Sequence, residues 1–263
     1  MPRFAANLSM LFTEVPFLDR FALASRAGFA GVEYLFPYDF PAADLAARLR
    51  HEGLVQVLHN LPAGNWAAGE RGIAILPERV AEFREGVERA IDYAQALQCP
   101  QLNCLAGIAP PTADRERLHA TFVQNLAFAA DRLKGAGIRL LIEPINPRDI
   151  PGFFINRTAE AAAILEEVGS PNLTIQYDAY HMQITEGDLA RTISAYLDRI
   201  DHVQIADNPG RGEPGTGEIN YPFLFEHLDR IGYRGWVGCE YRPQSDTLSG
   251  LSWLAPYLTA EAA

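Results

Sequence analysis

Residues 173–205 read LTIQYDAYHMQITEGDLARTISAYLDRIDHVQI. The stretch opens on a short apolar run closed by an acid, continues through a longer segment with helical spacing, and ends on a second apolar run. Strands buried on both faces of a parallel sheet read as near-continuous apolar runs, and neighbouring ones are joined by a crossover of about a dozen or more residues, usually a helix.

The unit repeats outward to both ends of the chain. Strand candidates fall at 3–9, 31–36, 54–60, 101–105, 138–143, 173–178, 201–205 and 236–240. Helix candidates alternate with them at roughly 15–27, 41–52, 78–97, 113–136, 158–168, 185–199, 221–230 and 247–258. Pro41, Pro77 and Pro222 suit first helical turns, and Thr158 with Glu160 offers a capped start. Gly28, Gly53, Gly137, Gly169 and Gly232 stand where a helix must stop before the next strand. Eight β-then-α units with no second composition regime predict one α/β domain over 1–263, a (β/α)8 TIM barrel with a C-terminal helical tail. A doubly wound open sheet is the alternative, but no GxGxxG follows the first strand.

The 263 residues include 22 Lys and Arg against 33 Asp and Glu, a net charge of −11, and are 48% hydrophobic. That composition belongs to a folded domain and lacks the basic footprint of a nucleic-acid binder. No signal segment and no long apolar stretch is present, so no membrane association is expected. Cys99, Cys104 and Cys239 cannot pair completely, which fits a reducing, cytoplasmic setting. The single lysine, Lys134, ends a helical pattern, which argues against Schiff-base chemistry.

The loops after strand candidates, at 60–77, 106–112, 144–157 and 206–220, are longer than those before them. Barrels build their active sites from the loops at the strand C-terminal ends. Four consecutive late strands end there in oxygen-bearing side chains: Glu143 in LLIEPIN, Asp178 in IQYDAYH, Gln204 in HVQIADN and Glu240 in VGCEYRP. On a closed barrel these four converge on one rim. Three carboxylates brought together repel unless a cation neutralises them, and all-oxygen ligation suits a divalent Mg2+ or Mn2+ better than zinc. The competing interpretation has each carboxylate capping its strand or pairing with Arg148, Arg211 or Arg242. Four successive strand ends of one kind favour the site. If Glu143 and Glu240 flank a substrate with oxygens on neighbouring carbons, one takes a proton from carbon and the other returns it, which is isomerase or epimerase chemistry.

His181, three residues after Asp178, is expected in the loop above the rim, donating to a substrate oxygen. His59, ending the third strand, is a weaker candidate for the same work. His202 shares the face of Gln204 but lies deeper and reads as structural. Cys239 alternates away from Glu240 and should face the helices.

The stretches HNLPAGNWAAGERGIA, LLIEPIN, IQYDAYHMQ, HVQIADNPGRGEPGTGEINYPFLF and WVGCEYRPQ resemble the hydroxypyruvate isomerases, within the xylose-isomerase-like TIM-barrel group. The similarity runs over essentially the whole chain. It implies reversible conversion of hydroxypyruvate, a small hydroxy-oxo acid, into 2-hydroxy-3-oxopropanoate (tartronate semialdehyde), in glyoxylate metabolism. It also implies a divalent metal, magnesium or manganese, on Glu143, Asp178, Gln204 and Glu240, with Glu143 and Glu240 as the acid–base pair. In sugar-epimerase relatives the third ligand is usually His, where this chain has Gln204. Barrels of this group often assemble as homo-oligomers through their helical shell.

Three other readings remain open from the residues: a 2-oxo-tetronate isomerase or similar sugar-acid isomerase, a metal-dependent endonuclease of the same barrel group, and a sugar-acid binder without turnover. Six histidines and a charge of −11 speak against the endonuclease. A carboxylate substrate needs a counter-charge, and with one lysine it must come from arginine or histidine. Arg211, flanked by Gly210 and Gly212, is the expected reader of that carboxylate, unless it pairs with Glu213 or Glu218 in its own loop.

Overall fold

Every strand candidate becomes a strand in the computed structural model, which describes residues 1–258. The strands are β1 (Arg3–Asn7), β2 (Gly31–Glu33), β3 (Val55–Asn60), β4 (Gln101–Cys104), β5 (Arg139–Ile142), β6 (Leu173–Asp178), β7 (Ile200–Ile205) and β8 (Trp236–Cys239). The helices are α1 (Arg20–Arg26), α2 (Ala42–Glu52), α3 (Val80–Leu97), α4 (Arg115–Gly135), α5 (Thr158–Val168), α6 (Ala179–Thr185), α7 (Leu189–Ala195), α8 (Tyr221–Arg230) and α9 (Ala255–Leu258). The strands pair in sequence order and close into a barrel, with β8 parallel to β1 and Ala6 opposite Cys239. Closure rules out the open-sheet alternative. Of the domain expected over 1–263, residues 259–263 lie outside the described residues.

Two apolar cores hold the barrel. Inside it, Ala5, Val57, Leu58 and Leu141 form a small plug with Trp236 packed against it. The larger core fills the space between strands and helices. Along α3 it takes Phe83, Val87, Ala90, Ile91, Ala94 and Leu97, the spacing of one helical face. Cys99, Cys104 and Cys239 are free thiols buried in this outer layer. Among the described residues no helix is long and apolar enough to cross a membrane.

The helix candidates differ from the structure in several places. The helix expected over 185–199 forms only from Leu189 as α7 and closes in a 3-10 turn at Leu197–Arg199, while α6 lies ahead of it in the stretch expected as loop; Gly187 and Asp188, both with positive φ, stand between the two. Asp188 at φ 46° cannot continue a right-handed helix. The segments expected over 15–27, 78–97 and 247–258 each begin as 3-10 turns, at Phe17–Asp19, Pro77–Arg79 and Ser249–Leu254, before becoming α1, α3 and α9. Thr158 is already helical. The Glu160 carboxylate instead takes the backbone N–H of Asn156 and Arg157.

Candidate active site

A cavity of about 640 Å³ opens at the C-terminal ends of the strands. All eight strands or the loops after them contribute to its wall: Asn7, Tyr34, Asn60, Leu105, Glu143, Gln176, Gln204 and Glu240 in order. Glu143 and Glu240 come one residue after β5 and β8 end, and Asp178 is the last residue of β6, opposite Gln204 in the ladder. All four are buried.

Asp178 serves two elements at once. Its Oδ1 accepts from the amides of Tyr180 (2.7 Å) and His181 (3.4 Å), capping α6. Its Oδ2 is buried without a hydrogen-bond partner, 3.5 Å from His181 Nε2 and 3.8 Å from Arg211 Nη2. Glu143 accepts from Asn103 Nδ2 at 3.2 Å, and Glu240 from Asn7 Nδ2 at 3.3 Å and Arg211 Nη2 at 2.7 Å.

Burial disfavours these charges. It pushes the Glu143 carboxyl well above its usual range, with repulsion from Glu240 and Asp178 adding to the effect. Burial likewise pushes Glu240 up to about 8, against the pull of Arg211. Asp178 rises for the same reason, although Arg211 and the two α6 amides oppose it. Burial also opposes the Arg211 charge, but Glu240, Asp178, Glu143 and Asp149 outweigh it and raise its pKa. One guanidinium therefore faces a set of carboxylates that outnumbers it.

The tautomer of His181 can be read from its neighbours. Asn146 Oδ1 accepts from the backbone N–H of Arg148 (3.0 Å) and Asp149 (2.8 Å), which fixes that amide's orientation. Asn146 Nδ2 is then the group 2.7 Å from His181 Nδ1, so Nδ1 accepts and the ring proton sits on Nε2. Burial and the nearby Arg211 charge hold this imidazole neutral, its pKa well below the usual value. Glu143, Asp178 and His181 lie close enough to share a metal ion, yet a protonated Nε2 is a hydrogen-bond donor, not a ligand. His181 was expected in a loop; it lies in the first turn of α6 because Asp178 caps the helix there.

Gln204 is oriented from below. Its Nε2 donates to Glu33 Oε1 at 2.7 Å, and its Oε1 accepts from Gln176 Nε2 at 2.6 Å. Glu33 also takes His202 Nε2 (2.7 Å) and Asn7 Nδ2 (3.0 Å), which gives His202 the structural place expected of it. Sequence reasoning missed Glu33. Its strand was expected to run on to residue 36, which left the acid mid-strand; β2 stops at Glu33, so this acid too ends a strand.

Arg211 enters the cavity. It does not pair with Glu213 or Glu218: Glu240, Asp149 (3.5 Å) and Asp178 take its guanidinium, which lies 5.0 Å from the Tyr180 ring centre. The Asp207 carboxylate sets the loop by accepting from the amides of Gly215, Gly217 and Ile219. His59 does not line the cavity. Asn60 does, so strand alternation turns His59 toward the helices, edge-on to Tyr38 with ring centres 5.8 Å apart. Asp149, Tyr180 and Arg71 line the wall without having been singled out in the sequence.

The sequence pattern of the xylose isomerase-like TIM barrels matches residues 21–257. The chain belongs to that family. This xylose isomerase-like barrel is 55% identical over 257 residues to the hydroxypyruvate isomerase of Escherichia coli, covering 98% of this chain and 100% of the other. It is 54% identical over 258 residues to the 2-oxo-tetronate isomerase of Cupriavidus necator, covering 98% and 99%. A crystal structure from Brucella melitensis described as AP endonuclease, family 2, is 52% identical with a TM-score of 0.96, over 98% and 99% of the two chains.

Proposed function

We propose that this protein is an isomerase of small hydroxy-oxo acids, interconverting hydroxypyruvate and 2-hydroxy-3-oxopropanoate. The observation that carries it is the pair Glu143 and Glu240, buried in the wall of one cavity amid oxygen acceptors and N–H donors. Relatives sharing about half the sequence are named for this reaction or for its four-carbon counterpart.

The rim fits a hard divalent cation: several buried carboxylates share one arginine, and Asp178 Oδ2 lacks a partner. Glu143, Asp178, Gln204 and Glu240 would hold Mg2+ or Mn2+, which when bound supplies charge that stabilises negative oxygen on the substrate. The chain's own groups move the protons. One glutamate takes hydrogen from C3 of hydroxypyruvate, the other returns one to C2, and the hydroxyl hydrogen passes from the C3 oxygen to the C2 oxygen. His181 Nε2–H donates to a substrate oxygen, and Arg211 binds an oxygen beside Glu240 while keeping that carboxyl oriented. The buried free thiols agree with work in the reducing cytoplasm.

The name of the C. necator relative makes a four-carbon 2-oxo acid the competing substrate. The Brucella name raises abasic DNA, which a charge of −11 and a carboxylate-rich cavity oppose. Product formation from hydroxypyruvate and 2-oxo-tetronate, with and without a chelator, tests the reading. Chelator-sensitive turnover with the higher kcat/KM on hydroxypyruvate is expected. Preference for the four-carbon acid would reassign the substrate, and binding of both without turnover would refute the enzyme.

A further inference from the structure

Hydroxypyruvate must bring its carboxylate into a cavity already lined by Glu143, Asp149 and Glu240. Arg211 is committed to Glu240, Asp149 and Asp178. Two more arginines line the wall, Arg71 and Arg242, and among the described residues neither has a carboxylate partner.

We propose that Arg71, resting on Trp66 in the loop between β3 and α3, is the cation that reads the substrate's carboxylate. The inference rests on the function proposed above and adds how its substrate class is selected. Arg71 Nη1 donates to the carbonyls of Trp66 (3.1 Å) and Glu70 (2.7 Å), and its guanidinium carbon lies 4.0 Å from the centre of the Trp66 ring. Nε and Nη2 carry no hydrogen bond to any described residue. Those two N–H groups form the edge that matches a carboxylate bidentately. Backbone carbonyls and an aromatic face fix the group without neutralising it.

The loop itself is tied at several points. Asn65 Oδ1 accepts from Ala68 N at 3.0 Å, and the Glu70 carboxylate takes both Asn65 N and Arg79. Next to Arg71, Gly72 N donates to Ala63 O at 3.1 Å. Gly72 has φ +116° and presses on the backbone of Leu105 and Gly107, where a Cβ would overlap. A cation held this way loses little freedom when it binds. Arg242, by contrast, is exposed and its side chain makes no hydrogen bond to a described residue, so it would have to be ordered by the ligand.

Arg71→Gln, Arg71→Lys and Arg242→Gln in the metal-loaded protein test this. Arg71→Gln should raise KM for hydroxypyruvate at least tenfold, with kcat and metal affinity within about threefold. Arg71→Lys, which keeps the charge but not the fork, should recover part of the loss. Calorimetric titration with D-glycerate and with glycerol reads the same contact without turnover. The native protein should prefer glycerate and Arg71→Gln should lose that preference. An unchanged KM, a retained preference, no preference in the native protein, or a loss that follows Arg242→Gln would each overturn the assignment. If the native protein leaves hydroxypyruvate unconverted yet binds glycerate through Arg71, the proposed reaction falls and the carboxylate site stands.

Discussion

Replacing Asp178 with Asn separates its two duties. Oδ1 caps α6 through two backbone amides, and Asn caps a helix about as well as Asp. Burial disfavours the carboxylate charge, so its loss costs the metal-free fold little, even though the new Nδ2 would face His181 Nε2–H and Arg211 beyond hydrogen-bond distance. Without divalent cation, Asp178→Asn should therefore unfold within about 0.5 kcal/mol of the native protein. The unpartnered Oδ2 is what a cation would lose. At metal one hundred times its Kd, binding stabilises the fold by about 2.7 kcal/mol. In a chain of this size that is roughly 5–10 °C in Tm. A hundredfold loss of affinity leaves about 0.4 kcal/mol, or roughly 1–2 °C. Scanning calorimetry with chelator and with Mg2+ or Mn2+ measures both quantities. Equal metal-induced shifts in the two proteins would remove Asp178 from the metal site. A large drop in Tm under chelator would instead show that the charge matters to the cap.

Glu240→Gln and Glu143→Gln each keep an oxygen at the rim but lose the base, so kcat should fall by about 10²–10⁴-fold while metal occupancy falls far less. Because both serve one relay, the removal at C3 and the return at C2, the double variant should be little worse than either single one, and clean additivity would count against a shared relay. His59 gives a stability signature. Burial lowers its imidazole to about 4, against a hydrogen bond to Asn60 O, while the unfolded chain titrates near 6.5. Between those values the unfolded chain binds a proton that the fold refuses, so stability falls as pH falls, by about 1.4 kcal/mol per unit, and levels off below the folded value. His59→Gln should flatten that slope in urea unfolding at pH 7, 6 and 5. Identical slopes would mean that His59 is not buried neutral.

Apolar runs and helical spacing made the barrel legible, because each strand is buried on both faces and each helix on one. The break between α6 and α7 was not, since the helical pattern passes through a Gly-Asp pair whose positive φ values only the folded chain reveals. At the site, Glu143, Asp178, Gln204 and Glu240 could be found because each stands where apolar strand gives way to polar loop. Glu33 stands at such a break too, but the apolar residues after it hid where β2 ends. His59 shows the opposite error: it is polar and near a strand end, but one place out of phase with the cavity face. Which partners Arg211 takes, and that Arg71 keeps a free edge, depend on loops whose conformation no periodicity encodes.

The burial of the three cysteines bears on what the protein can survive. The proposed product is a small reactive aldehyde, whose carbonyl carbon is open to attack by amines and thiolates on whatever protein it meets. Burial pushes the thiols of Cys99, Cys104 and Cys239 upward, so they present almost no thiolate. The lone lysine, Lys134, is exposed at the C-terminal end of α4, the end of the barrel away from the cavity. The positive charge at the cavity itself is guanidinium, which stays protonated and is a poor nucleophile. A barrel built this way offers its own product almost nothing to glycate, so adducts should accumulate on its neighbours well before they accumulate on it.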